Sequence, residues 1–203
     1  MVDNKTGSVK QAVLPAVFEK EKKFNDLVME WNRKMNLVSR KKHNVYDLIN
    51  ESKIFFDYVD FKINPRVMDL GTGGGFPGIV LKIHYPGIEL TLVDSIKKKT
   101  KALLDIIHRL GFDNVEVICS RVEELGKLEE LRRAFDYVTA RAVSSLDRLV
   151  MWSRTLLKPG AKLITVKGEN IEKEIKEAQK HRFIRKIDVF ERNDKKVVVV
   201  EFK

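Results

Sequence analysis

Between Val9 and Asn32 the apolar residues Val13, Leu14, Val17, Phe18, Phe24, Leu27, Val28 and Trp31 recur mostly three and four apart, the period of an amphipathic helix. Pro15 is expected near the start of this helix or at a break in it. A second helical pattern runs from Val45 to Tyr58 through Leu48, Ile49, Ile54 and Phe55, and it ends before Asn64-Pro65. After Pro65 short apolar runs alternate with longer amphipathic ones. Strands are predicted at 66–70, 89–93, 115–118, 135–140 and 161–166, and helices at 77–84, 96–110, 145–157 and 169–181. Gly111 and Pro159-Gly160 stop two of these helices. The last apolar runs, 183–190 and 196–202, are separated by the turn-like Arg192-Asn193-Asp194, too short for a crossover helix, so they should meet antiparallel.

Five strand-helix units imply an α/β fold with right-handed crossovers. The expected architecture is a mostly parallel seven-stranded sheet with helices on both faces and a C-terminal antiparallel hairpin. An N-terminal helical segment, 1–64, precedes the sheet domain, 65–203.

Composition narrows the function classes. The chain has 203 residues with 39 Lys plus Arg against 29 Asp plus Glu, a net charge of +10, and 43% hydrophobic residues, so it is basic and still able to build a core. One cysteine, Cys119, forms no internal disulfide and is expected to be a small buried residue. One Cys and four scattered His residues build no structural zinc site, and no metal is expected. Neither a signal peptide nor an 18-residue apolar run is visible, so a cytoplasmic protein, without a membrane partner and monomeric, is expected. The positive surplus by itself suits nucleic acid, another anionic surface or plain solubility.

The chemistry-bearing stretch is Asp69-Leu70-Gly71-Thr72-Gly73-Gly74-Gly75-Phe76-Pro77, between a predicted strand and a predicted helix. Glycines let the backbone approach a ligand, and ligands of open α/β sheets sit at the carboxyl ends of strands where the strand order reverses. The spacing is acid-x-G-x-G-x-G. A dinucleotide fingerprint would need a third Gly where Phe76 stands, and no Gly-Lys-Ser/Thr follows to make a P-loop. The next strand ends at Asp94, 23 residues after Gly71, where a carboxylate can accept from both hydroxyls of an adenosine ribose. As a purely structural alternative, Asp94 would cap the following helix. Beyond the third strand, Val122 and Glu123 are placed to read an adenine edge. Asp69, Gly73, Gly75 and Asp94 are therefore candidate cofactor residues.

The spacing is similar to the loop of class I S-adenosyl-L-methionine-dependent methyltransferases. Several ordered motifs sharpen this: DLGTGGGFPGIVL, LVDS before a Lys cluster, SRVEE, FDYVTARAVSSL, LKPGAKLITVKG and an N-terminal WNRKMNL. Together, over about residues 25–168, they resemble the RsmG family, also called GidB, of bacterial small-subunit ribosomal RNA methyltransferases. The resemblance implies methyl transfer from S-adenosyl-L-methionine to N7 of a specific guanine of 16S rRNA near the decoding centre. It also implies cofactor contacts at Gly71, Phe76, Val122, Glu123 and Arg141. The partner is then 16S rRNA or the small ribosomal subunit. The last 30 residues carry no matching motif.

The residues agree with that chemistry. A sulfonium is already an activated methyl donor, so the enzyme mainly aligns donor and nucleophile. Amine methylation of bases typically uses an N/D-P-P-Y/F motif after the fourth strand, where this chain has Ala140-Arg141-Ala142. Guanine N7 has a free lone pair and needs neither that device nor a cysteine nucleophile. Arg141 and Lys167, at the predicted ends of strands four and five, are the candidate catalytic cations toward the guanine O6 or a phosphate. Arg33, Lys34 and Arg40, with Lys97, Lys98 and Arg121, are the candidate RNA contacts. The competing readings are a class I methyltransferase acting on a small molecule or protein, a nicotinamide-dependent oxidoreductase and a non-catalytic RNA-binding protein.

Overall fold

The computed structural model describes residues 6–56, 59, 61–168, 171–192 and 195–203, without the side chains of 6–14, 56 and 192. The predicted helix contacts of Val13 and Leu14, the end of the second helix at Tyr58, the start of the seventh helix at Glu169 and the Asn193-Asp194 turn lie outside that description.

Strands β1 (Arg66–Leu70), β2 (Glu89–Asp94), β3 (Val115–Cys119), β4 (Phe135–Arg141), β5 (Leu157–Lys167), β6 (Ile184–Arg192) and β7 (Lys195–Phe202) form one sheet in the order β3-β2-β1-β4-β5-β7-β6. The first five are parallel, and β7 runs antiparallel to both β5 and β6. The terminal pair is thus the expected hairpin, with its second strand inserted against β5 and its first strand left on the edge. Arg185, Lys186, Asp188 and Glu191 put charge along that edge, which discourages pairing with another chain.

Helices α1 (Thr6–Lys34), α2 (Tyr46–Lys53), α3 (Gly78–His84) and α4 (Lys97–Leu110) cover one face, and α5 (Val122–Leu125), α6 (Leu146–Leu156) and α7 (Glu172–Ala178) the other. Alternate strand residues serve the two layers: Val67, Leu90 and Leu92 pack under the first set, Met68, Leu70 and Val93 under the second. The N-terminal helices share the first layer, with Phe24, Leu27, Val28, Ile49 and Phe55 buried in it. Trp31 ties α1 to α4 by donating its indole N–H to Asp105 at 2.7 Å.

Three expectations are corrected. Pro15 lies inside α1, which runs on through it; a proline φ is itself helical, and the residue removes only one donor. Pro159-Gly160 does not separate helix from strand, because β5 already begins at Leu157, opposite Phe135, and the irregular register between Phe135 and Tyr137 absorbs the intervening residues. Cys119 is exposed rather than buried, because β3 is an edge strand and none of its residues is fully buried.

Candidate functional site

The strand order reverses beside β1, whose neighbours are β2 and β4, and the glycine loop leaves β1 at this point. Thr72 N–H bonds to Val93 O at 2.9 Å, and Gly75 and Phe76 N–H both turn back to Thr72 O. The glycines have different jobs. Gly78, at the start of α3, lies so close to β2 that a Cβ would come within 2.4 Å of Leu92 Cδ2 and 2.9 Å of Asp69 Oδ2. Gly73 has φ +58°, and a Cβ there would meet only Gly71 O at 3.9 Å, so its outer side is open.

The N-terminal helices brace this loop from outside. Phe24 of α1 packs on Phe76 with ring centroids 5.1 Å apart, and a Cβ on Gly74 would lie 3.1 Å from Val38 Cγ1. Val38 is held by Asn32, whose side-chain oxygen accepts from Leu37 and Val38 N–H, both at 2.9 Å. The WNRKMNL segment therefore shapes the back of the glycine loop.

Asp69 is fully buried below the loop. Its Oδ2 accepts from Gly78 N–H at 2.9 Å and its Oδ1 from the Thr139 hydroxyl at 3.0 Å. Burial pushes the Asp69 carboxyl up to about 6, against the opposing pull of the Thr72 hydroxyl, the Gly78 N–H, the Thr139 hydroxyl and the Arg141 charge. Asp94, also buried, divides its oxygens: Oδ2 accepts from Gly73 N–H at 3.1 Å and Oδ1 from Ile96 N–H at 2.9 Å. The capping alternative fails: Ile96, not Asp94, precedes α4 and no side chain caps that helix, while Asp94 braces the turn before it with one oxygen and the glycine loop with the other. Lys99 Nζ stands 4.0 Å from Oδ2. Ser120 N–H bonds to Asp94 O at 3.2 Å, bringing the β3 end, with half-buried Val122 and exposed Glu123, beside Asp94.

Arg141 ends β4. Its guanidinium lies 5.6 Å above the Phe76 ring and pairs with Glu51 of α2 at 2.9 Å. Glu51 also pairs with Lys195 of β7 at 2.5 Å. Lys167 is not a solvated charge: it bonds to Ser144 O at 2.6 Å and Glu174 at 2.8 Å. Arg141, Lys167, Glu51, Ser144 and Lys195 line a cleft of about 380 Å³. Glu51, Lys195 and Thr139 escaped the sequence reading; Glu51 and Arg141 are 90 positions apart, and nothing local marks the pair.

The basic residues fall into separate groups. Arg33, Lys34 and Arg40 line one groove of about 330 Å³ with Asn32 and Asn36. Lys97 and Lys98 are exposed on the first turn of α4, where no acid balances them, and Arg121 is exposed at the start of α5. Cations at a helix N-terminus oppose its dipole, so local stability does not account for them.

The donor set suits S-adenosyl-L-methionine, a cation: an open approach over Gly73, a carboxylate at the end of β2, and a buried carboxylate below the glycine loop. Among the described residues no group of three or more His, Cys, Asp and Glu side chains is placed to hold a metal, and no helix is long and apolar enough to cross a membrane.

Comparison with known proteins agrees with this geometry. Residues 18–198 match the GidB family, described as rRNA small subunit methyltransferase G. A protein of Syntrophomonas wolfei named ribosomal RNA small subunit methyltransferase G is 37% identical over 190 residues, covering 89% of this chain and 88% of that protein. One of the same name from Caldanaerobacter subterraneus is 41% identical over 152 residues, covering 74% of this chain and 64% of its own length. Among solved structures, an O-methyltransferase described as predicted, from Agrobacterium tumefaciens, superposes with a TM-score of 0.65 at 14% identity, covering 74% of this chain and 80% of that one. A ribosomal protein L11 methylase from Lactobacillus delbrueckii gives 0.62 at 16%, covering 78% and 79%. The fold is that of the class I methyltransferases.

Proposed function

The chain belongs to the rRNA small subunit methyltransferase G family, and we propose that it transfers a methyl group from S-adenosyl-L-methionine to N7 of a specific guanine of 16S rRNA. The observation that carries this reading is the loop from Asp69 to Gly78 at the strand-order switch point, joined through Gly73 to the acid that ends β2. Gly71, Gly73, Gly75 and Phe76 would form the cofactor cradle, Asp94 would take the ribose hydroxyls, and Val122 with Glu123 would lie along the adenine. Asp69 supplies negative charge beneath the cationic donor and fixes Gly78 against the sheet.

When bound, the cofactor supplies an electrophilic methyl group on a sulfonium. Held by the glycine loop and Asp94, it would be presented to the lone pair of guanine N7. N7 carries no proton, so no general base is required, and the chain's task is alignment. Arg141, held between Phe76 and Glu51, links the cofactor loop to the cleft that receives the base. Lys167 secures the wall of that cleft through Ser144 and Glu174. Arg33, Lys34, Arg40, Lys97, Lys98 and Arg121 provide phosphate contacts around it. The reaction takes place on the ribosomal subunit or its RNA in the cytoplasm, and one chain carries the whole site.

Calorimetry tests the cofactor half of this reading. S-adenosyl-L-methionine should bind to the wild-type chain and NAD should not, and Gly73→Ala, whose Cβ enters the open approach, should weaken binding at least about tenfold. Equal binding of NAD, or full affinity in Gly73→Ala, would contradict it.

A further inference from the structure

We propose that Glu51 reads the Watson–Crick edge of the acceptor guanine, accepting hydrogen bonds from its N1–H and its N2 amine. This rests on the guanine-N7 reading above and adds the residue that selects the base. Glu51 reaches the cleft from α2, an element outside the sheet, and its carboxylate is half-buried between Arg141 at 2.9 Å and Lys195 at 2.5 Å. Each cation occupies one oxygen: Arg141 takes Oε2 and Lys195 takes Oε1. An ionised carboxylate has about four acceptor positions, so one remains on each oxygen. The two cations fix the group in place and leave each oxygen able to accept once more.

Guanine is the RNA base whose Watson–Crick edge carries two adjacent donors, N1–H and the N2 amine. Adenine offers an acceptor beside its amine, cytosine likewise, and uracil one N–H between two carbonyls. A bidentate carboxylate therefore fits guanine and leaves unpaired polar groups against the others, which is how hydrogen-bonding sites discriminate most strongly. A backbone phosphate is a poorer occupant, because Glu51 offsets one of the two positive charges that would attract it and its carboxylate, placed between them, repels an anion. Lys167 is likewise taken by Glu174. The cleft, about 380 Å³, lies within the range of small-ligand sites and is large enough for one splayed-out base.

The same contact favours the reaction. With N1 and N2 on Glu51, the N7 edge faces the other way. As N7 gains the methyl carbon, the ring becomes cationic and its N–H groups more acidic, so both hydrogen bonds to the carboxylate strengthen toward the transition state.

The test is a cycle between protein and substrate. 16S rRNA is assembled with guanosine or inosine at the methylated position; inosine keeps N7 and N1–H but lacks the N2 amine. Single-turnover methylation is timed with wild-type protein and with Glu51→Gln, and the product is mapped by chemical cleavage at N7-alkylated purines. Where the variant is too slow to time, equilibrium binding of the two RNAs gives the same ratio. Wild type should favour guanosine about 10- to 100-fold, the value of a hydrogen bond to a charged group. Glu51→Gln should bring the ratio close to one, with the calorimetric affinity for S-adenosylhomocysteine unchanged. A wild-type ratio near one, an unchanged ratio in the variant, or weakened cofactor-product affinity would overturn the assignment while leaving N7 methylation standing. Methylation without N7 cleavage in the wild type would remove the guanine-N7 reading and this proposal with it.

Discussion

Asp69 and Asp136 stand on neighbouring parallel strands, β1 and β4, both buried, near opposite ends of the sheet. At the amino end of β4, Asp136 accepts from Arg66 N–H at 3.0 Å and pairs with Lys158 at 2.9 Å and Lys62 at 3.5 Å. Burial pulls its carboxyl up, but the Arg66 N–H and the two ammonium groups outweigh burial and hold it below the usual carboxylate range. Toward the carboxyl end of β1, Asp69 has no salt-bridge partner among the described residues and bonds instead to the loop it supports and to Thr139; burial prevails, at about 6. One end of the sheet uses charge for stability. The other keeps a destabilised carboxylate under the glycine loop, the pattern expected of a functional site and, in the proposed function, of use to a cationic ligand.

The largest expected effect is on Asp69. The unfolded carboxyl titrates near 3.8 and the folded one near 6, so between these values the native state holds the extra proton and stability falls as pH rises. Above about pH 6 the full cost, about 3 kcal/mol, is present. Asp69→Asn should abolish this part of the pH dependence in urea unfolding and be at least as stable as wild type at pH 7.5, yet bind S-adenosyl-L-methionine about tenfold more weakly. A variant that gains neither stability nor loses affinity would erase the contrast.

Gly78→Ala should lose about 2 kcal/mol by urea unfolding, because its Cβ intrudes on Leu92 and Asp69. Asp136→Asn should have the opposite signature to Asp69→Asn: about 1 kcal/mol less stable at neutral pH, with methyl transfer unchanged. The Asp136 contribution is present above pH 3.8 and is lost as pH falls through its lowered folded value, so the variant and wild type should converge in acid. The smallest stability effect is expected from replacing Lys97 and Lys98 by Gln, which relieves α4 by a few tenths of a kcal/mol. The same change should lower the salt slope of RNA binding by about 2, measurable by filter binding across salt concentrations.

The functional end was partly legible in the sequence because its glycine loop is contiguous and Asp94 closes the next strand of the same βαβ unit. The limits of β1 were legible for the same reason, since Arg66–Leu70 is a short apolar run between breakers, whereas the start of β5 was hidden by Pro159-Gly160 inside it. The insertion of β7 against β5 was not, since an antiparallel turn does not say which strand of the pair joins the sheet. Cys119 was misread because a strand's place at the edge is a property of the whole sheet. Glu51 was invisible because its partners Arg141 and Lys195 lie 90 and 144 positions away and meet it only after the N-terminal helices dock. Asp136 showed no sign of its role either, as its lysines come from outside its strand.

The most direct measurement follows a labelled methyl group. S-adenosyl-L-methionine carrying labelled methyl is incubated with the protein and, in separate reactions, small ribosomal subunits, naked 16S rRNA, cell protein and small metabolites, and the labelled product is digested to nucleosides. The account predicts label in 16S rRNA, free or in the subunit, recovered as 7-methylguanosine. Label found only in protein or metabolites, or in rRNA at an atom other than guanine N7, would contradict it.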